Sequence, residues 1–592
     1  MKTPAADPAD RLLTRLEGAR RDFSPDGAAQ AEASLAALGR HRFSDPASLI
    51  RFHECLLFLR TYPHNAQVRR QAESLLSSFS RRVAQLRSAG ANCSAFDPPE
   101  VSGIAGTAVE EVFGYDVVRR LLERHPGKVR AAWDRYEPGS RTAGIVPRFV
   151  PLLDEESLVE ANVPYLRWLR AASGGADPGL GWLLGRLGRL SLPETETAEL
   201  YDSLGIPVRW ELANTRASRT RDRYPARGIF YHREPLIRRS HVSLAKELES
   251  PPLPVTRLAR TEGERILDQG REGMAVRHRE LYAFTHGDPA HVLMAEVGRG
   301  VEIFLCGLLP QRRLPLRAYH GFLVYKNGVQ VGYGDLLTLF ERAELAFNHY
   351  YAFREGESAW IYARLLLLLR HLFGVTCFTV DPYQIGHEND EAIESGAFWF
   401  YRKLGFRPLH PELASLVEAE ERKIAVHPGY RTPARILRRI ARGHIAYEVP
   451  GTTPGAWDQF QARSIGLAVQ RRMAGDFHGD AEEIRNASLA AVGWALGLTR
   501  RGWSQSDRHA VGSLALVLAL IPDLGRWEED EKALLLRIIR AKLGPEELRY
   551  VRQLQRHPRL RTAILRLGST RTQAPSAPGG GPVAPGTPSR VS

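Results

Sequence analysis

Cysteine is scarce in this chain: four stand among 592 residues, and no two form a C-x-x-C pair. Cys55, Cys93, Cys306 and Cys377 lie far apart, which argues against a zinc cluster or a disulfide framework and suits a reducing compartment. Long apolar runs are also missing. The longest, "LALVLALI" at 514–521 and "LLLLL" at 365–369, fall well short of the roughly 20 residues that cross a bilayer. The opening "MKTPAADPADRLLTRL" lacks the apolar centre of a signal peptide. These absences predict a soluble, cytoplasmic chain with no membrane span. A Walker loop, a G-x-S-x-G elbow and a dinucleotide fingerprint after a strand are absent as well. His387 and Glu388 have no second cluster to complete a metal site, so none is read.

Acidic residues are outnumbered: 81 Lys and Arg face 67 Asp and Glu, leaving +14. The basic residues are mostly Arg and are spread along the chain, which favours anions in general, whether nucleic acid, acidic lipid or a phosphorylated cofactor. The densest runs, "RILRRIARGH" and "TRASRTRDRY", lack the interleaved aromatics of a nucleic-acid module and read as solvated basic faces.

Periodicity divides the chain. Residues 1–205 read as helical, with "DPASLIRFHECLLFLRTYP" opening on an Asp-Pro start signal. Residues 206–255 are an irregular Arg/Pro-rich connector. Residues 256–412 form an α+β domain: "VEIFLCGL", "GFLVYK", "VQVGYGDLLTLF" and "RAELAFNHYYAF" are strands, Asn327-Gly328 marks a hairpin, and "ESAWIYARLLLLLRHLFG" is a helix closed by Gly374. The strand "VTCFTVDPYQIG" and an aromatic helix through "ESGAFWFYRKLGF" complete it. Residues 413–455 are a basic helical segment and linker, 456–568 a helical C-terminal domain, and 569–592 a disordered Pro/Gly/Ser tail.

The element order in 295–410, and the ending Tyr401-Arg402-Lys403-Leu404-Gly405-Phe406 after the small residue Ala397, resemble the GNAT superfamily of acyl-CoA-dependent N-acyltransferases. The resemblance covers roughly a fifth of the chain. It implies a central mixed sheet, acetyl-CoA or another acyl-CoA as co-substrate, and an amine acceptor. A helix start offers unpaired N–H groups and the positive end of its dipole to a pyrophosphate. The stretch Arg354, Gly356, Glu357, Ser358, Ala359 and Trp360 would supply that start, with Ser358 as a capping residue and Arg354 as a cation. Tyr401 is implied as the acid that protonates the leaving thiolate. Glu344 is the expected base, with His349 as the other candidate on that strand; alternation sends Glu344 and Asn348 to one face and His349 to the other. The sequence departs from the family pattern at Glu357, where a Gly is usual, and at Glu394, where an Asn is usual.

Each motif has a plainer reading. The aromatic run also suits a core helix with a Gly C-cap, and Glu357 with Ser358 suits an ordinary helix start. Two other functions therefore stay open. One is a non-catalytic scaffold whose helical flanks bind a protein partner, and the other is an RNA- or DNA-binding chain.

Overall fold

The computed structural model describes residues 8–150, 164–498 apart from 176, 178 and 214, and 505–569. The tail expected from 569 onward lies outside these residues except for Ser569.

The N-terminal third opens with helices, among them α1 (Pro8–Ala19) and α2 (Pro46–Thr61). Asp45 caps α2 by accepting from the Ser48 N–H at 2.8 Å, and Pro46 sits in the first turn where its missing N–H costs nothing. Phe52, Phe58, Leu56 and Leu59 are buried around the circumference of α2, so this helix is core on every side. The expectation of a wholly helical 1–205 is corrected further along. Three short strands, β1 (Ala108–Glu111), β2 (Val129–Ala131) and β3 (Val208–Glu211), form an antiparallel sheet in the order β1-β3-β2. Its central strand comes from the segment read as an irregular connector, where Trp210 is fully buried. Strands of three or four residues are too short to show a period of two, and "TAVEEVFGYDVVRRLL" blends into the helical pattern that follows it.

Nine strands of the described chain make the main sheet: β4 (Val255–Arg257), β5 (Gly287–Gly298), β6 (Val301–Leu308), β7 (Ala318–Lys326), β8 (Val329–Leu339), β9 (Arg342–His349), β10 (Cys377–Val380), β11 (Arg407–Pro408) and β12 (Ile445–Glu448). Their order is β11-β12-β10-β9-β8-β7-β6-β5-β4. Only β9 and β10 run parallel; the other pairs are antiparallel. The sheet thus reaches past 412 into the segment expected to be helix and linker, because β12 fills the free edge of β10.

The β7–β8 hairpin turns at Asn327-Gly328, both with positive φ (51° and 77°), as the dipeptide predicts. The turn also pins the N-terminal region to the sheet. Asn327 Nδ2 donates to the carbonyls of Thr61 and Phe230, and its Oδ1 accepts from the Phe230 N–H.

Helix α3 (Arg260–Ala275) covers one face of the sheet, lying over Leu323, the cross-strand neighbour of Tyr333. Helix α4 (Ser358–Phe373) covers the other with its buried run Leu365–Leu369 and stops at Gly374 (φ 72°). Phe347 packs 5.1 Å from Tyr362 of α4. Phe347 and His349 therefore face α4, while Glu344 and Asn348 face the other side. The aromatic segment is two short helices rather than one, α5 (Asp390–Ser395) and α6 (Ala397–Arg402), broken at Gly396 with φ 68°. The C-terminal helices close the bottom of the sheet. From α7 (Glu547–Leu554) Tyr550 donates to the Leu316 carbonyl, and the next residue, Gln555, donates to those of Phe340 and Phe373. Among the described residues no helix is long and apolar enough to cross a membrane.

Candidate active site

Strands β9 and β10 pair over only three residues, Arg342 to Glu344 against Cys377 to Thr379. Beyond them β9 runs on to His349, but β10 ends at Val380 because Asp381-Pro382 turns the chain. The Asp381 carboxylate accepts from the Tyr383 N–H at 2.9 Å, and proline cannot donate to a ladder. The two parallel strands therefore part, and helices α5 and α6 wall the opening. A cavity of about 300 Å³ fills it, lined among others by Phe347, Asn348, His349, Ser358, Phe400 and Tyr401. A larger recess of about 670 Å³ adjoins it through Arg239, Arg354, Ser358 and Phe400, and extends over the start of α4 toward the end of α1.

The first turn of α4 borders both spaces. Gly356 is required there by close approach, since a Cβ on it would lie 2.3 Å from the Tyr62 hydroxyl. Ser358, expected as the cap, is instead the first helical residue. The N-cap is Glu357, and its side chain makes no capping bond. That carboxylate is fully buried and turned away from the recess, 2.6 Å from Arg299 and 3.4 Å from Lys326. Burial pushes the Lys326 ammonium down to about 8, with Glu357 opposing the shift. The N–H groups of Ser358, Ala359 and Trp360 have no acceptor among the described residues. Ser358 and Ala359 line the recess, whereas the Trp360 side chain is buried 6.0 Å from Arg299. Of the predicted anion-binding set, Arg354, Gly356, Ser358 and Ala359 meet at the cavities. Trp360 is at hand through its backbone N–H only, and the Glu357 N–H is taken by the Tyr62 hydroxyl at 3.4 Å.

Arg354 lies where the cavities join. It stacks on Tyr351 at 4.1 Å and donates to Glu391 at 2.8 Å. Arg238 and Arg239 from the former connector, with Arg21 after α1, add cations to the larger recess, and Asp22 and Glu355 are its carboxylates. Sequence reasoning missed these arginines because only the tertiary return of residues 235–239 brings them to the start of α4.

Tyr401 borders the smaller cavity, nearly buried among Tyr362, Phe400 and Phe406. Its hydroxyl makes no hydrogen bond to another described residue, and burial pushes its pKa well up. A phenol in that state keeps its proton and can only give one. His349 lies across the same cavity. Its Nε2 donates to the Phe353 carbonyl at 3.1 Å, which fixes the proton there and leaves Nδ1 as a buried lone pair without a partner. Burial lowers its pKa to about 4, so the ring is neutral near pH 7.

Glu344, expected as the base, is displaced from this role. It sits at the paired end of β9, opposite Thr379, and does not line the cavity. Burial alone raises its pKa, but Arg342 at 2.8 Å, Arg317 at 3.3 Å and His444 outweigh that and hold it low. Four residues along a strand separate it from Asn348 by about 13 Å.

No protein-family model, curated protein or solved structure matches this chain. The functional reading therefore rests on the site itself. Among the described residues no group of three or more His, Cys, Asp or Glu is placed to hold a metal ion.

Proposed function

We propose that the chain transfers an acyl group from an acyl-CoA, such as acetyl-CoA, to an amine. The observation that carries this reading is the parting of the one parallel strand pair among the described residues directly beside an uncapped helix start, with a proton donor and a proton acceptor on opposite walls of the opening. The larger recess suits the phosphorylated end of the co-substrate, since Arg21, Arg238, Arg239 and Arg354 face it together with the free N–H groups of Ser358 and Ala359. The smaller cavity suits the thioester. His349 Nδ1 accepts the proton that the amine loses as its nitrogen bonds to the acyl carbon. Tyr401 donates a proton to the sulfur as the C–S bond breaks, and solvent returns the catalytic protons. Only neutral groups are needed for this, and both are held neutral by burial.

Glu357, where the family pattern has Gly, is turned into its own ion cluster and away from the recess, and Glu355 in the recess is paired with Arg20 and Arg21, which favours this reading over the scaffold one. The nucleic-acid reading is weakened as well. Arg219, in the run read as a solvated basic face, is buried and bound to Glu54 at 2.8 Å, and Arg120, Arg124 and Arg271 are occupied by Asp268 and its neighbours. The test is thiol release from acetyl-CoA in the presence of a panel of amines. The reading requires release that depends on both substrates, and release without an amine, or none with any, stands against it.

A further inference from the structure

A third recess adjoins the smaller cavity past the end of α3. It measures about 50 Å³ and shares Arg279, Asn348, His349, Arg354 and Glu391 with that cavity. A side chain or two could enter it; a nucleotide could not. Four guanidinium groups line it, those of Arg219, Arg277, Arg279 and Arg354, against the carboxylates Glu391 and Glu100. Glu391 is already shared by Arg279 at 3.1 Å and Arg354 at 2.8 Å, and Arg219 is held by Glu54.

Arg277 differs from these three. It is 9% exposed, stacks 3.7 Å from the centre of the Tyr350 ring, and donates through one Nη to the Gly273 carbonyl. Its charge acts on the carboxylates of Asp222 and Glu54, but neither comes within ion-pair distance of it, and its remaining N–H groups have no acceptor among the described residues. Nearby, the Arg219 Nε, the Tyr350 hydroxyl and His349 Nδ1 are buried and unpartnered too. A buried donor left unpaired is costly, and here several such groups, one of them charged, surround one small recess beside the proton acceptor. Such an arrangement is completed by an oxyanion.

We infer that this recess holds a carboxylate carried by the amine acceptor, so that the acceptor is an amino-acid-like molecule. The inference rests on the acyl-transfer reading for the identity of its ligand. Arg277 is the anchoring cation, its planar fork matching a carboxylate's two oxygens, and Asn348 and His349 stand between the anchor and the thioester cavity. A carboxylate seated there would direct an amine a few bonds away toward the His349 lone pair.

Calorimetric titration of the full chain with the common amino acids, their α-amides and O-phosphoethanolamine tests this, with acetyl-CoA titrated into the same preparations. The expected result is saturable binding of at least one amino acid, about tenfold or more weaker for its amide, and a similar loss in Arg277→Gln with partial recovery in Arg277→Lys. Equal binding of acid and amide, stronger binding of the phosphate compound, or no binding of any amino acid overturns it. The wild-type comparison decides the matter even where Arg277→Gln fails to fold. Amino-acid binding without acetyl-CoA binding leaves the recess standing and removes the acyl-transfer reading instead.

Discussion

Replacing Glu357 with Gln tests whether the buried ion cluster sets the start of α4. Glu357 lies between Arg299 and Lys326 and also accepts from the Ile237 N–H at 3.2 Å, so it joins the connector, the sheet and the helix at one point. Removing its charge strands two cations, one of them an ammonium with no exposed surface. Breaking a buried pair in this way costs about 3–5 kcal/mol. Lys326→Met is the instructive contrast, because it leaves the Arg299 pair intact. The fall of the Lys326 pKa from 10.5 to about 8 corresponds to about 3 kcal/mol spent on keeping the ammonium charged. Removing it offsets much of what the lost pairing costs, so Lys326→Met should lose less than about 2 kcal/mol, and the double variant should show a coupling of about 1–3 kcal/mol. Urea unfolding followed by tryptophan fluorescence reads this, since Trp360 packs beside Arg299. A pH arm isolates the lysine. Its folded pKa is depressed, so between pH 8 and 10.5 the unfolded chain binds more protons and stability rises with pH. That rise should shrink in Lys326→Met. A Lys326→Met loss equal to or larger than that of Glu357→Gln refutes the reasoning.

Further outcomes follow from the same geometry. Tyr401→Phe should lower turnover by about 10²-fold or more while acetyl-CoA affinity holds, read by thiol release beside calorimetry. Gly356→Ala should destabilise by about 1–3 kcal/mol, because its Cβ would collide with the Tyr62 hydroxyl; an unchanged urea midpoint contradicts this. His53 and His349 are both lowered to about 4 by burial. The stability they contribute is complete above pH 6.5 and is lost as the pH falls toward 4, by up to about 1.4 kcal/mol per unit for each. Urea midpoints between pH 7 and 4.5 should track that slope, and His349→Gln should flatten it.

Local patterns carried the elements that signal themselves locally. Asp45-Pro46 started a helix, Asn327-Gly328 made a hairpin, and Gly374 ended α4, since each acts through its own backbone. Strands β6 to β10 were legible because they are long or bounded by turn residues. The three-stranded sheet was not, for its strands are short and its centre lies in an Arg/Pro-rich stretch. Within the site, Tyr401 and Arg354 stood in recognisable positions, whereas Glu344 failed because alternation fixes only the face of a strand and not the distance along it from the opening. The direction of Glu357 depended on Arg299 and Lys326, both distant in sequence. Arg239, Arg277 and Glu391 came to the cavities only through the packing of separate segments.

The most direct measurement is calorimetric titration of the purified chain with acetyl-CoA and free coenzyme A, repeated on Arg354→Ala. Saturable binding of both, weakened in the variant because Arg354 borders every space beside the α4 start, is what the account predicts. Absence of heat and of thermal stabilisation with acetyl-, succinyl- and long-chain acyl-CoA would contradict it.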